Sequence, residues 1–343
     1  MTRMIDRDTR CAVTMDSSFV NRPIRVGLVG TGYAAKLRAE TLHKAKRAQL
    51  IAIVGHTSEK TAEFSQTYQA LAVTWEQLVE RDDIDLVVIC NINQEHGAIA
   101  HKALQNHKHV VVEYPLSLDV TQAEELITLA QTKNKLLHVE HIELLGGLHQ
   151  ALKQNLAKIG TVFYARYTTI NPVRPAPRKW TYNQELFGFP LCGALSRIHR
   201  FTDLFGTVAT VSCQNRYWGA ESEFYQACLC TAQLRFTNGV VASVTYGKGE
   251  TLWQDKNKFE VHGEKGGLIF DQQQGILVQA EETTPIEVGS RRGLFVKDTD
   301  MVLNNLLTGA PLYVSNSASL YALKVADAAR RSAQTGETIR LEG

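Results

Sequence analysis

No stretch of this sequence is apolar for long enough to cross a bilayer: the longest runs, such as Val110–Val112 and Leu86–Cys90, stop far short of the roughly 20 residues that a spanning helix needs. A soluble protein with no membrane partner is expected. A surplus of one charge is also missing. Lys and Arg number 37 against 35 Asp and Glu, a formal net charge of +2, with no basic stripe or tail. Nucleic acid is therefore not an expected partner, and any anion site must be local. The six cysteines (Cys11, Cys90, Cys192, Cys213, Cys228, Cys230) form no CxxC pair and no Cys/His comb. That argues against zinc and against a disulfide framework, and fits a reducing cytoplasm; no metal is expected. Residues 1–22 lack the apolar core of a signal peptide and read as a loose tail.

What is present is an ordinary globular composition, 44% hydrophobic and 21% charged over 343 residues. That length is enough for two domains, since single cores stop growing near ~250–300 residues. From Arg25 to about Glu140, short β-rich runs alternate with helical stretches: Val26–Val29 and Ala34–Lys44, Leu50–Val54 and Thr61–Tyr68, Leu86–Cys90 and Glu95–Gln105, then Val110–Val112, Thr121–Gln131 and Leu136–Val139. This alternation predicts βαβ units and a parallel sheet. After Leu145 the texture changes to successive β-rich segments: Val162–Ile170, Val208–Tyr217, Ala227–Phe236, Val240–Tyr246, Lys258–His262 and Leu268–Phe270. They predict a mostly antiparallel sheet, interrupted by one helical insertion at Leu191–Leu204 and closed by a helix at Ser317–Ser332.

Directly after the first strand stands Gly30-Thr31-Gly32-Tyr33-Ala34-Ala35, a GxGxxA form of the dinucleotide fingerprint. Gly30 permits the tight turn, Gly32 admits a pyrophosphate to the backbone, and Ala35 lets the following helix pack on the sheet with its N-terminus aimed at the phosphates. The chain is thus expected to carry an N-terminal Rossmann domain over residues 23–142, followed over 143–343 by a sheet domain that covers the substrate site: α/β plus α+β. The second strand ends in Gly55-His56-Thr57-Ser58, where an NAD enzyme usually places an acid for the ribose 2′-hydroxyl. Hydrogen-bond donors at His56, Thr57 and Ser58, with Lys60 behind them, favour NADPH over NADH.

Farther along, Asn91-Ile92-Asn93-Gln94-Glu95-His96 and Glu113-Tyr114-Pro115 resemble the glucose-fructose oxidoreductase/inositol dehydrogenase superfamily. Its sugar dehydrogenases carry Lys where this chain has Tyr114, and Asp and His where it has Arg197 and Phe201. Removing a proton from a sugar hydroxyl needs a group that titrates near neutrality, so a sugar dehydrogenase is not expected. His199 lies one helical position out of register and is expected to face elsewhere. The same departures, together with Lys135–Leu145, Phe187-Gly188-Phe189-Pro190 leading to Ser196-Arg197, and Gly293–Asp298, resemble the biliverdin reductases, most nearly their cyanobacterial branch.

That resemblance implies hydride transfer from NADPH to the central methine bridge of biliverdin IXα, giving bilirubin IXα. It implies that Asn91, Asn93, His96, Glu113 and Tyr114 shape the cofactor pocket. A large flat tetrapyrrole with two propionates calls for aromatic surface and a few cations; Tyr167, Trp180, Phe187 and Phe189 are the candidates for surface, and Arg174, Arg178, Lys179, Arg197 and Arg200 for charge. Arg197 either orients the bilin and relays its proton or forms a structural ion pair with an acid. Tyr114 either donates the proton or serves as a packing shelf for nicotinamide. His138, Glu140, His141 and Glu143 are expected to hydrogen-bond at the domain junction. The rival functions are a reductase of another small carbonyl or imine, and a non-catalytic NADP-binding sensor. A monomer or weak homo-oligomer is expected.

Overall fold

A computed structural model describes residues 19, 22–280 and 282–341. The chain opens with β1 (Ile24–Val29), α1 (Tyr33–Lys44), β2 (Ala48–Val54), α2 (Ser58–Tyr68), β3 (Leu71–Ala72), α3 (Trp75–Glu80), β4 (Leu86–Ile89), α4 (Asn93–Gln105), β5 (His109–Glu113), α5 (Val120–Thr132) and β6 (Leu137–Glu140). These six strands form one parallel sheet in the order β3-β2-β1-β4-β5-β6. All four residues of β4 are buried, as a strand with helices on both faces requires. The order reverses beside β1, which opens the crevice where ligands of such sheets bind.

The second half follows as α6 (Gly147–Asn155), β7 (Val162–Pro172), α7 (Gln184–Phe187), α8 (Pro190–Gly193), α9 (Ser196–Phe205), β8 (Val208–Trp218), β9 (Ala227–Phe236), β10 (Val241–Gly249), β11 (Lys256–Gly263), β12 (Gly266–Asp271), β13 (Gln274–Gln279), β14 (Glu282–Ile286), α10 (Leu294–Thr308), α11 (Asn316–Thr335) and β15 (Ile339–Arg340). Its nine strands run β14-β13-β12-β11-β7-β10-β9-β8-β15. Along β9 buried residues alternate with exposed ones toward the C-terminal end, the pattern of a sheet with one packed face. Every pairing in this sheet is antiparallel except β7 with β10. That parallel pair sets Thr169 beside Tyr246 and Tyr167 beside Val244 on the packed face.

Several details differ from the sequence expectation. The insertion expected as one helix over Leu191–Leu204 is two, α8 and α9, with a break at Ala194–Leu195. Pro190 starts α8, and Gly193 is pressed so closely on Phe187 that a Cβ there would lie 2.5 Å from the ring. Helix α10 was not anticipated. It lies on α1 of the first domain, where its Val302, Leu303 and Leu306 enter the core beside Leu42 and Val88. The expected tail falls outside the described residues except for Phe19, buried edge-on to His109, and Arg22, which grips Asp85 at 2.5 and 3.0 Å. No described helix is long and apolar enough to cross a membrane.

Candidate active site

The Gly-rich turn has the form of a phosphate cradle. Gly30 adopts φ 120°, and a Cβ there would lie 2.4 Å from the Cys90 carbonyl oxygen, so only glycine fits. Gly32 has nothing within 4 Å of where its Cβ would be. It caps α1 without any side-chain hydrogen bond, and the first turn of α1 carries no acid. Unsatisfied N–H groups and the positive end of the helix dipole therefore face open space. Ala35 is fully buried under the helix, while Tyr33 is 78% exposed and edge-on to Phe295 of α10. Thr31 and Ala34 are half-buried, and Thr31 abuts Gly55, bringing the β2 loop to the cradle. His56, Thr57 and Ser58 are exposed there, and Thr57 caps α2 by accepting from the Lys60 amide. The residues present fit a dinucleotide.

Three of the expected cofactor residues spend their polar atoms on partners within the protein. Asn93 is buried, and its amide donates to the Phe187 carbonyl at 2.9 Å, pinning α7 rather than facing a ligand. Both ring nitrogens of His96 lie on carbonyl oxygens, Pro115 at 2.8 Å and Asn91 at 3.3 Å, and burial pushes its pKa down. Glu113 accepts from Arg38 Nε at 2.9 Å. It belongs to a buried network in which Arg38 also meets Asp298, and Asp298 meets His138 and Tyr313. Asn91 donates to Glu95 at 2.5 Å, but its Oδ1 is buried without a partner.

At the junction of the domains, four half-buried polar residues, Tyr114, Thr169, Arg197 and Tyr246, gather around buried Ser196. The Tyr114 hydroxyl donates to Ser196 Oγ at 3.2 Å, and Arg197 Nη1 donates to the same oxygen at 3.0 Å. Arg197 Nε reaches Thr169 Oγ1 at 3.4 Å, and the guanidinium lies 5.3 Å from the Tyr246 ring centroid. Among the described residues no carboxylate forms an ion pair with Arg197, so the reading of it as a structural ion pair falls. Burial opposes its charge, but Tyr167, Tyr114, Tyr246 and Glu143 together shift it above the ordinary guanidinium value, so the group stays charged. Tyr114 is pushed up to about 12, first by burial, with Glu140 and Glu143 adding and Arg197 opposing.

Behind Tyr114 lies a stack of rings. His141 is parallel to it at 5.3 Å, and His199 meets His141 edge-on at 4.1 Å. His199 therefore does not face elsewhere; it buttresses the site from behind. Burial lowers it to about 4 and lowers His141 well below the usual imidazole range. Burial, with Glu113 beside it, pushes the Glu140 carboxyl well above the usual carboxylate range.

Of the proposed substrate contacts, Tyr167 is buried and stacked on Phe259 at 4.7 Å, so its ring belongs to the core. Arg200 is committed to Glu143 at 2.5 Å with its side chain 4% exposed, which removes it as a free cation. Phe187 is buried too, while Phe189 is half-buried at the start of α8. Arg174 and Arg178 are exposed: Arg174 stacks on Trp253 at 4.1 Å, and Arg178 lies 3.9 Å from Glu223. Sequence reasoning passed over Ser196, Thr169, Tyr246 and Lys248. Ser196 stood within the quoted Ser-Arg pair, but nothing in the sequence says that β7 and β10 are neighbours.

Residues 24–141 match the profile of an oxidoreductase family with an NAD-binding Rossmann fold, and residues 153–341 match that family's C-terminal alpha/beta domain. Biliverdin reductase A of Mus musculus is 28% identical over 288 residues, covering 83% of this chain and 87% of that protein. The Homo sapiens enzyme of the same name is 26% identical over 289 residues, covering 83% and 87%. A crystal structure of biliverdin reductase from Synechocystis sp. PCC 6803, in complex with biliverdin and NADP+, superposes with a TM-score of 0.90 at 54% identity, covering 91% of this chain and 99% of that one. Phosphate cradle, capping sheet and matches over both halves agree: the chain belongs to the Gfo/Idh/MocA oxidoreductase family.

Proposed function

We propose that this protein is an NADPH-dependent biliverdin reductase acting in the cytoplasm. The observation that carries the reading is Arg197: a half-buried guanidinium without a carboxylate partner among the described residues, hydrogen-bonded to Ser196 and Thr169 at the domain junction. The 54% identity to a biliverdin reductase crystallised with biliverdin and NADP+ supports the same substrate and cofactor. Cytoplasmic placement is supported by the scattered cysteines, which form neither CxxC pairs nor a Cys/His comb.

The Gly30–Ala35 turn and the N-terminus of α1 would hold the pyrophosphate, and His56, Thr57 and Ser58 the 2′-phosphate. When bound, NADPH supplies the hydride. Its arrival at the central methine carbon leaves the tetrapyrrole one negative charge richer, and a proton must follow to a pyrrole nitrogen. Arg197 places a fixed positive charge where that negative charge develops. Neither Arg197 nor Tyr114 gives up its proton freely near neutrality; they orient a water that relays a proton from solvent to the pyrrole nitrogen, taking one up as it gives one, so that no hydroxide is left behind. Ser196 Oγ, already accepting from both, keeps its own hydrogen to donate toward that water. Arg174 and Arg178, exposed in the segment after β7, would meet the propionates.

The test is to mix the protein with biliverdin IXα and NADPH, or NADH, and follow the spectrum. Loss of the green band to a yellow one, faster with NADPH, is expected. Binding of both without turnover would instead make the protein an NADP-dependent bilin sensor.

A further inference from the structure

Lys248 has a setting that the reaction as described does not use. It lies on the packed face of β10, two residues beyond Tyr246, and is 6% exposed. Burying an ammonium is costly unless it is compensated, yet among the described residues it forms no ion pair with a carboxylate. Glu250, the nearest acid along the strand, accepts from the Ala176 amide instead. The compensation comes from aromatic faces. Its Nζ lies 3.9 Å from the Phe187 centroid, 4.8 Å from Tyr182, 5.6 Å from Tyr225 and 5.8 Å from Tyr246. It also donates to the Thr181 carbonyl. Such a cage holds the rings as firmly as it holds the cation.

Both ends of this contact converge on one segment. Thr181 and Phe187 bracket the stretch that leads into α8 and Arg197. From the other side, Asn93 at the start of α4 donates to the Phe187 carbonyl at 2.9 Å, and at Gly188 a Cβ would lie 2.4 Å from Leu118 of the first domain. Phe187 is thus gripped by its ring from the second domain and by its backbone from the first.

We propose that Lys248 is a positioning residue: with Asn93 it clasps the segment Trp180–Phe187 between the two domains and so fixes the wall of the substrate cleft beside Tyr246 and Arg197. The role for substrate rests on the biliverdin reductase reading, whereas the clasp itself does not. The titratable and charged groups facing Lys248 are Cys228 from β9, Tyr182 and Tyr225 from the covering loops, Tyr246 from β10 and Arg197 from α9. Burial is the main cause that brings Lys248 down to about 8, with Arg197 assisting and Cys228 opposing. Raising the pH through that value removes the charge, and with it the attraction to the rings.

Trp180, whose ring is 5.9 Å from Phe187, is a reporter of the clasp in the substrate-free protein. Its emission is expected to show a step near pH 8 that disappears in Trp180→Phe and in Lys248→Met, while Lys248→Arg, charged throughout, keeps the low-pH emission. With biliverdin and NADPH, Lys248→Met is expected to lower kcat roughly tenfold and to flatten the alkaline limb of the pH profile, with KM for NADPH unchanged and with Lys248→Arg restoring most of the rate. No emission step in the wild-type protein, or a step retained in Lys248→Met, overturns the clasp whatever the substrate is. A normal rate and pH profile in Lys248→Met overturns its role in positioning. An emission step that behaves as expected in a protein that never turns over bilin upholds the clasp and overturns only the substrate reading.

Discussion

Arg197 and Tyr114 come from different domains and meet on one oxygen: Ser196 Oγ accepts from the guanidinium at 3.0 Å and from the phenol at 3.2 Å. The hydroxyl is the joint through which the tip of the parallel sheet and the first turn of α9 fix each other's proposed catalytic group. Because the two donors have different reach and charge, their removal should have different effects.

Replacing Arg197 with Ala removes the fixed charge opposite the developing anion and should lower kcat about 100-fold or more, the scale of losing one preorganised electrostatic contact. Arg197→Lys should recover only part of this, since a point charge cannot reach Ser196, Thr169 and the Tyr246 face at once. Tyr114→Phe keeps the ring on His141 and loses one hydrogen bond to Ser196, so a fall of about tenfold or less is expected. Steady-state rates with NADPH affinity measured in parallel check the ranking; equal losses in Arg197→Ala and Tyr114→Phe would contradict it.

Selectivity for NADPH should be separable from turnover. His56→Asp places a carboxylate where the 2′-phosphate would lie, which repels the phosphate and suits a free ribose hydroxyl. A rise of tenfold or more in KM for NADPH, with NADH gaining relative to it and kcat little changed, is expected; unchanged selectivity would remove the β2 loop from 2′-phosphate recognition.

Stability should fall in mild acid because of the ring stack. His199 has a folded-state pKa of about 4 against 6.5 for an unperturbed imidazole, and burial lowers His141 as well. Between those values the unfolded chain binds more protons than the native one, so stability is present above pH 6.5 and is lost as the pH drops toward 4. His199 alone accounts for about 2–3 kcal/mol of this. Denaturant titrations at pH 7, 6 and 5 check it, and His199→Phe should show a shallower dependence.

Local signals made much of the molecule legible. The alternation of β-rich and helical runs yielded five of the six strands of the parallel sheet, because strands buried on both faces must be apolar and must alternate with covering helices; the exposed two-residue β3 gave no such signal. Gly30 and Gly32 announced the cradle through their spacing between an apparent strand and an apparent helix. Arg197 stood out because it occupies a position where related sugar enzymes need a titrating group. By contrast, Asn93, His96 and Glu113 occupy the right places along the chain but spend their polar atoms on Phe187, Pro115 and Arg38. A residue's chemistry is visible in its letter; its partner is not.

Composition and local periodicity therefore determined the two-part architecture, the nucleotide turn and the kinds of groups that gather after it. Only the tertiary structure decided which cations remain free, since Arg197 and Arg200 are three positions apart and one escapes an acid while the other is paired with Glu143. It also decided that β10 lies beside β7, setting Tyr246 and Lys248 next to Arg197. Non-local strand pairing and long-range ion pairing are choices among partners distant in sequence, and they are settled by simultaneous packing of the whole chain rather than by any segment's own preference.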